Sequence, residues 1–134
     1  MAKRSKSIDR VERVLAELGV QAVPIELDQS TRTAQLAADA LGVPLGSIVK
    51  SLVFMAEGGP VLALVSGDRR ADTAKIAAAC GKSEVRIATA AEVRECTGFA
   101  VGGVPPVAHA HPMPVLLDES LARFELLHAA AGAP

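Results

Sequence analysis

The chain has 134 residues, half of them hydrophobic, and a net charge of −1 at neutral pH. This length suits one domain with a sizeable core. The near-neutral charge argues against a broad, non-specific phosphate-binding surface, and three Phe with no Trp or Tyr argue against an extensive stacking platform for single-stranded nucleic acid.

The first part of the chain predicts a helix, a strand and a second helix. Apolar residues at helical spacing over residues 8–18 predict a helix that ends at Gly19. The segment VQAVPIEL (20–27) is typical of a strand, and RTAQLAADALG (32–42) of a helix closed by Gly42.

The central part predicts a β-hairpin followed by two capped helices. Strands at 47–56 and 61–67 are joined by EGGP, a short loop with two glycines. Asp72 is placed to cap the helix TAKIAAAC, and Thr89 and Glu92 form a capping box for the helix AAEVREC. The intervening EVRIA reads as a short strand.

The last part predicts a long loop and short elements. Residues 99–113 are rich in Gly and Pro, PVLLD (114–118) reads as a strand, and ESLARF (119–124) as a turn of helix before ELLHAAAG. Helices and hairpins are mixed without regular alternation, repeat or linker. We therefore expect one α+β domain over residues 1–134, with a curved, mixed or antiparallel sheet and helices outside.

The sequence indicates a cytoplasmic protein. No apolar run approaches the ~18 residues of a membrane span, and no apolar signal region follows the basic start MAKRSKSIDR. Cys80 and Cys96 have no metal-ligand spacing and no CxxC pattern, so they are interpreted as small buried residues in a reducing compartment.

Lys50 stands in the middle of the apolar stretch SIVKSLVF (47–54). Strand residues alternate faces, so Lys50 shares a face with Ile48, Leu52 and Phe54. Three interpretations stay open: the side chain extends its ammonium to water, pairs with a buried carboxylate, or points into a polar pocket.

The segment TGFAVGGVPP (97–106) holds three glycines and two prolines. Glycine lets the backbone approach a ligand closely, and proline stiffens a loop. The segment therefore indicates either a rigid substrate loop or an ordinary tight surface loop. It is not a P-loop, and the dinucleotide-binding fingerprint is absent from the chain.

Five segments occur together in a characteristic order: STRTA (30–34), IVKSLVF (48–54), LVSGDRR (64–70), TGFAVGGVPPVA (97–108) and LLDESL (116–121). In this order and spacing, the chain resembles the YbaK/ProX family of aminoacyl-tRNA editing domains, which also occur inserted in bacterial prolyl-tRNA synthetases. The resemblance runs from about residue 8 to the end and implies a curved, barrel-like sheet with surrounding helices. Many members continue past AAAG, so we expect a closing element to be missing here or supplied otherwise.

The resemblance implies the site residues. Lys50 and the backbone of Gly102 and Gly103 are expected to be catalytic. The expected substrate-binding residues are Thr31, Thr33, Ser51, Gly98, Val104, Pro105, Pro106 and Asp118. Some members carry an aromatic residue where Thr33 falls, which leaves the amino-acid preference open.

The implied activity is hydrolysis of the ester between a wrong, small amino acid and the 3′ end of tRNA-Pro or a related tRNA. A positive Lys50 would stabilise the oxyanion or hold the ribose–phosphate side, the two glycines would position water and ester, and the ribose 2′-hydroxyl would assist. Expected partners are the aminoacyl-tRNA 3′ end and prolyl-tRNA synthetase, with no DNA, membrane, cofactor or metal. A non-catalytic tRNA- or synthetase-binding module and a small-ester hydrolase stay open as alternatives.

Two further patterns carry weaker signals. His109 and His111 form an H-x-H pair, but no third ligand lies nearby in sequence, so a polar loop rim is favoured over a metal site. The charged turn of Asp68, Arg69 and Arg70 reads as a solvated loop or an acceptor-stem contact.

Overall fold

The computed structural model describes residues 6–19 and 33–131. Within these ranges the helices are α1 (Lys6–Glu17), α2 (Ala34–Leu41), α3 (Thr73–Ala79) and α4 (Ala90–Thr97). The strands are β1 (Ile48–Ala56), β2 (Gly59–Ser66), β3 (Val85–Ile87), β4 (Val115–Leu117) and β5 (His128–Ala129). Two 3₁₀ helices cover Leu45–Ser47 and Glu119–Arg123. The strand predicted at 20–27 lies outside the described residues.

The sheet is built around the β1–β2 hairpin, whose antiparallel register runs from Val49 opposite Ser66 to Ala56 opposite Gly59. On the other edge of β1, strand β3 pairs antiparallel and β5 pairs parallel. Strand β4 pairs parallel with β2. The mixed α+β architecture is therefore confirmed. Over the described residues the sheet is open, so its closure into a barrel-like form stays a prediction.

The predicted helix boundaries are confirmed where a side chain caps the backbone. The Asp72 carboxylate accepts a hydrogen bond from Ala74 N at 2.9 Å, at the start of α3. At the start of α4, Thr89 Oγ1 accepts from Glu92 N and the Glu92 carboxylate accepts from Thr89 N. These bonds satisfy backbone donors that have no partner inside the helix.

The hairpin buries both of its faces. One face carries Val49, Ser51 and Val53 of β1; we call it the loop face. It packs with a core whose buried members are Val11, Val53, Leu62, Leu64, Val93, Phe99, Val104 and Leu121. The opposite face carries Lys50, Leu52 and Phe54; we call it the lysine face. Its core holds Phe54, Ala63, Val65 and Ile76, the last from α3.

Candidate active site

Lys50 lies half-buried on the lysine face, next to an apolar core. Its ammonium Nζ donates a hydrogen bond to the carbonyl oxygen of Arg69 at 2.5 Å. Among the described residues the partner is thus a backbone carbonyl and not a carboxylate. An ammonium has three N–H groups, so the other two have no hydrogen-bond partner among the described residues.

The Arg69 carbonyl belongs to a tight turn that follows β2. Arg69 N donates to Ser66 O at 3.0 Å, which closes the turn. The buried Ser66 hydroxyl lies 2.5 Å from Gly46 O and 2.9 Å from Asp68 Oδ1. The turn is therefore tied to the segment that precedes β1.

Arg123 holds the same turn from the second 3₁₀ helix. Its two terminal nitrogens donate to the two oxygens of Asp68 at 3.1 and 2.8 Å, and Nη2 also donates to Ser66 Oγ at 3.0 Å. The hydrogen bonds from Arg123, and then from Ser66, lower the pKa of Asp68 to about 2. We call Arg123, Asp68 and Ser66 the turn clamp. Our sequence interpretation of the charged turn missed Arg123, because nothing in the spacing pairs residues 55 positions apart.

Asp118 lies beside this clamp, directly after β4. Its carboxylate oxygens accept hydrogen bonds from Ser66 N at 3.0 Å and Ser120 N at 2.9 Å. Burial raises the pKa of Asp118, but these backbone hydrogen bonds, together with Ser120 and the charge of Arg69, lower the pKa below its usual value. Asp118 therefore joins the ends of β2 and β4, and its predicted contact with substrate stays a prediction.

The Gly/Pro loop after α4 is built by local hydrogen bonds. The buried Thr97 hydroxyl donates to Val93 O at 2.7 Å and accepts from Phe99 N at 3.0 Å. Gly98 and Gly102 take positive φ angles of 82° and 88°, which side-chain-bearing residues rarely adopt. Gly103 N donates to Ala100 O at 2.9 Å.

The far end of this loop is also fixed. Val104 and Pro105 are buried, whereas Gly102 is exposed. His109 Nε2 lies 2.7 Å from Pro105 O, so this nitrogen carries a proton. Over the described residues no group of three or more His, Cys, Asp or Glu side chains is placed to hold a metal ion.

Three of the predicted site residues lie on opposite faces of β1. Ser51 and Val104 belong to the loop face, and the Ser51 hydroxyl is buried with no hydrogen-bond partner in the described part of the chain. Lys50 belongs to the lysine face. Thr33 instead caps α2, its hydroxyl accepting from Leu36 N at 3.1 Å, and Thr31 lies outside the described residues.

The two faces meet at one edge of β1. There β5 pairs with residues 48–49 and β3 with residues 54–56, so within ranges 6–19 and 33–131 no strand pairs with 50–52 on this edge. Ile48 O accepts a hydrogen bond from Gly67 N on the β2 side, and Val53 O accepts one from Ala88 N on the β3 side. Because the backbone groups of successive strand residues point to alternate edges, those of Ser51 point to the same edge as those of Val53.

His128 is a neighbour that the sequence interpretation missed. In the parallel β1–β5 register it pairs with Ile48, so its side chain lies on the lysine face, two residues along from Lys50. The segment ELLHAAAG gave no strand signal, because β5 has only two residues.

The fold places the chain among tRNA-editing structures. The crystal structure of a candidate trans-editing enzyme for prolyl-tRNA synthetase matches 98% of this chain with a TM-score of 0.91 and 48% identity, and the match covers 84% of that protein. The chain belongs to the aminoacyl-tRNA editing domain family, whose model matches residues 28–134. The resemblance seen in the sequence motifs is thereby confirmed.

Two relatives show where such domains occur. A candidate Cys-tRNA(Pro)/Cys-tRNA(Cys) deacylase, EbsC of Enterococcus faecalis, is 30% identical over 75% of this chain and 62% of its own length. A proline–tRNA ligase of Xanthomonas campestris is 35% identical over 68% of this chain, but the chain spans only 16% of that ligase. Among the described residues, no helix is long and apolar enough to cross a membrane.

Proposed function

We propose that this chain is a trans-editing aminoacyl-tRNA deacylase. It would hydrolyse the ester that joins a small, wrong amino acid to the 3′-terminal adenosine of tRNA-Pro or a related tRNA. Membership of the editing-domain family carries this proposal. The need is physical, since a synthetase pocket cannot strongly reject a slightly smaller or isosteric amino acid, and a second site must remove the product.

Lys50 supplies the positive charge in this proposal. Its ammonium is held by one carbonyl and keeps two N–H groups for the substrate. Placed near the ester carbonyl, it stabilises the oxyanion that forms as water attacks; placed on the ribose–phosphate side, it orients the tRNA end.

The loop face supplies the other wall. The backbone of Gly102 and Gly103 positions the ester and the attacking water, while Gly98, Val104, Pro105 and Pro106 shape the loop around it. The Ser51 hydroxyl has no partner among the described residues and can hydrogen-bond the substrate. A substrate that touches both Lys50 and this loop must cross the edge of β1 at Ser51, where the backbone N–H and C=O also face it.

The remaining contacts belong to the amino-acid and tRNA ends. Asp118 keeps lone pairs beyond the two that accept backbone hydrogen bonds, and these can hold the substrate amino group. Thr31 and Thr33 are proposed to border the amino-acid pocket. His128, on the face of Lys50, is a further candidate contact.

The proposal extends to setting and shape. Prolyl-tRNA synthetase is the proposed partner that presents the tRNA, and the cytoplasm is the proposed location, because charged tRNA is made there. We also propose that the sheet curves into the barrel-like form that the resemblance implies.

A deacylation panel tests this function. The purified chain is incubated with tRNA-Pro charged with Ala, Cys, Ser or Pro, and release of amino acid is followed over time. We expect release of at least one small non-cognate amino acid and little release of Pro. Binding without release of any amino acid would favour a non-catalytic module. Cleavage of free aminoacyl esters as fast as charged tRNA would favour a small-ester hydrolase.

A further inference from the structure

We propose that Arg123 and Asp68 are positioning residues, which fix the Lys50 ammonium through the backbone carbonyl of Arg69. This inference rests on the proposed function and deepens it. Neither residue is expected to touch the substrate. Their task would be to hold the turn that provides the hydrogen-bond acceptor of Lys50.

The path from Arg123 to Lys50 is short and continuous. The Arg123 guanidinium donates hydrogen bonds to both oxygens of Asp68 at 3.1 and 2.8 Å. Asp68 directly precedes Arg69, whose carbonyl receives the Lys50 ammonium. A two-bond fork fixes orientation as well as distance, so the turn has one preferred placement.

Arg123 is itself anchored at its other end. Its Nε donates to Ser120 O at 2.6 Å, and its guanidinium carbon lies 4.9 Å from the centre of the Phe124 ring. Ser120 N in turn donates to Asp118. The two hydrogen bonds from Arg123 to Asp68 therefore link the second 3₁₀ helix to the turn after β2.

Two glycines make close contacts beside the clamp. A Cβ atom at Gly46 would lie 2.7 Å from Asp68 Oδ2 and 3.0 Å from Arg123 Nη2. A Cβ atom at Gly67 would collide with the carbonyl oxygen of Leu45. Asp68 and Arg69 are themselves exposed, so loss of the fork is expected to let the Arg69 carbonyl move. A 1 Å misplacement of a catalytic group can cost about 10²-fold in rate.

The chain contains a matched control for this fork. Arg86 donates to both oxygens of Glu92 at 2.8 and 2.9 Å, so it makes the same two-bond pair. This second pair lies at the β3–α4 junction, and no contact described above links it to Lys50. Equivalent substitutions remove the same two-bond fork from each pair, and Arg123 additionally bonds Ser66 and Ser120.

The experiment compares Arg123→Gln and Asp68→Asn with Arg86→Gln and Glu92→Gln, all well below their melting temperatures. The first readout is the hydrogen–nitrogen NMR correlation of the Lys50 ammonium in isotope-labelled full-length protein, assigned by its loss in Lys50→Arg. We expect the signal to shift or to vanish through faster hydrogen exchange in the clamp variants, and to stay unchanged in the control variants. This readout needs no substrate.

The second readout is deacylation of the best substrate from the panel. We expect kcat to fall about 10- to 100-fold in the clamp variants with little change in KM, because a misplaced ammonium loses transition-state contacts first. The control variants should stay within about twofold, as expected of surface pairs far from the site. Arg123→Lys keeps the charge without the fork and should recover kcat only in part.

Different failures have different signatures. An unchanged Lys50 signal in folded clamp variants, or a kcat loss no larger than that of the control pair, would overturn the positioning role. Should Arg123→Gln fail to fold, Asp68→Asn and Arg123→Lys decide the same question. A wild-type protein without deacylase activity would refute the proposed function, while the NMR comparison would still decide whether the clamp fixes Lys50.

Discussion

Two carboxylate–guanidinium pairs of the same geometry occupy different places in this fold. Arg86 and Glu92 are six residues apart, and Glu92 also forms the capping box of α4 with Thr89. Arg123 and Asp68 are 55 residues apart and join the end of the hairpin to the last 3₁₀ helix. Each pair lowers the pKa of its carboxyl group to about 2, through the arginine hydrogen bond first. The same arginine–carboxylate pair can therefore support the start of a helix, as Arg86–Glu92 does, or join two distant segments, as Arg123–Asp68 does.

The largest effect is expected from removing Lys50, which we propose that the Arg123–Asp68 pair positions. Lys50→Ala should leave the fold intact and lower kcat for deacylation by about 10²-fold or more, as loss of an oxyanion-stabilising group does. Lys75→Ala, at an exposed position of α3, is the matched control and should act like wild type. Single-turnover deacylation with circular dichroism as a folding check measures both. A near-wild-type rate in folded Lys50→Ala would remove the lysine from the mechanism.

The second test concerns the Gly/Pro loop, which belongs to neither the Arg86–Glu92 pair nor the Arg123–Asp68 pair. Gly102→Val should reduce deacylation by about tenfold or more, since a branched side chain at φ 88° strains the backbone that approaches the ester. Gly58→Val, at φ 94° in the β1–β2 turn, imposes a similar strain away from the site. If the two variants lose activity equally, the loop acts only as a connector.

Thermal unfolding sharpens the comparison between the pairs. We expect Arg123→Lys to lower Tm more than Arg86→Lys, because the first arginine also bonds Ser66 and Ser120 across elements, whereas the second supports one helix end. Differential scanning calorimetry at neutral pH measures the two shifts side by side. Equal shifts would show that the long-range contacts add nothing to global stability.

Acid sensitivity should reveal both pairs. The folded pKa of Asp68 is lowered from 3.8, and that of Glu92 from 4.5, to about 2. A carboxyl group with a depressed folded pKa contributes stability that is complete above its unfolded pKa and is lost as pH falls through its folded pKa. The free energy of unfolding should therefore fall between about pH 4.5 and pH 2, and Asp68→Asn or Glu92→Gln should each flatten that fall. Urea titrations at several pH values measure this free energy. If the pairs did not form, its dependence on pH would be the same in either variant as in the wild type.

The smallest effect concerns tRNA binding. The 14 Lys and Arg residues are balanced by 15 Asp and Glu, and Arg86 and Arg123 are engaged by carboxylates. We expect weak affinity for tRNA alone and a shallow decline of binding with added salt. Filter binding or anisotropy across a salt series tests this. Tight binding with a steep salt slope would reveal a basic surface and remove the need for a synthetase partner.

The elements that could be predicted from the sequence are those fixed by neighbours along the chain. The hairpin follows from alternation and the EGGP turn, and the starts of α3 and α4 follow from Asp72 and the Thr89–Glu92 box. Lys50 stood out because a charge interrupts an apolar strand. The family resemblance added the loop and the order of the site segments.

What the sequence could not predict depends on contacts between distant segments. Arg123 looks like any surface arginine until the end of β2 meets the last 3₁₀ helix. Strand β5 is too short for a pattern, so His128 was missed. Val104 packs on the face of β1 opposite Lys50 because the Gly/Pro loop folds against the loop face. No local sequence pattern specifies that packing.

The edge of β1 beside Ser51 is bordered by short strands, with two residues in β5 and three in β3. Few backbone hydrogen bonds hold each of them, whereas the hairpin is paired along its whole length. Local opening of such strands costs much less free energy than global unfolding. The border of the candidate site can therefore open locally while the hairpin that carries Lys50 stays intact.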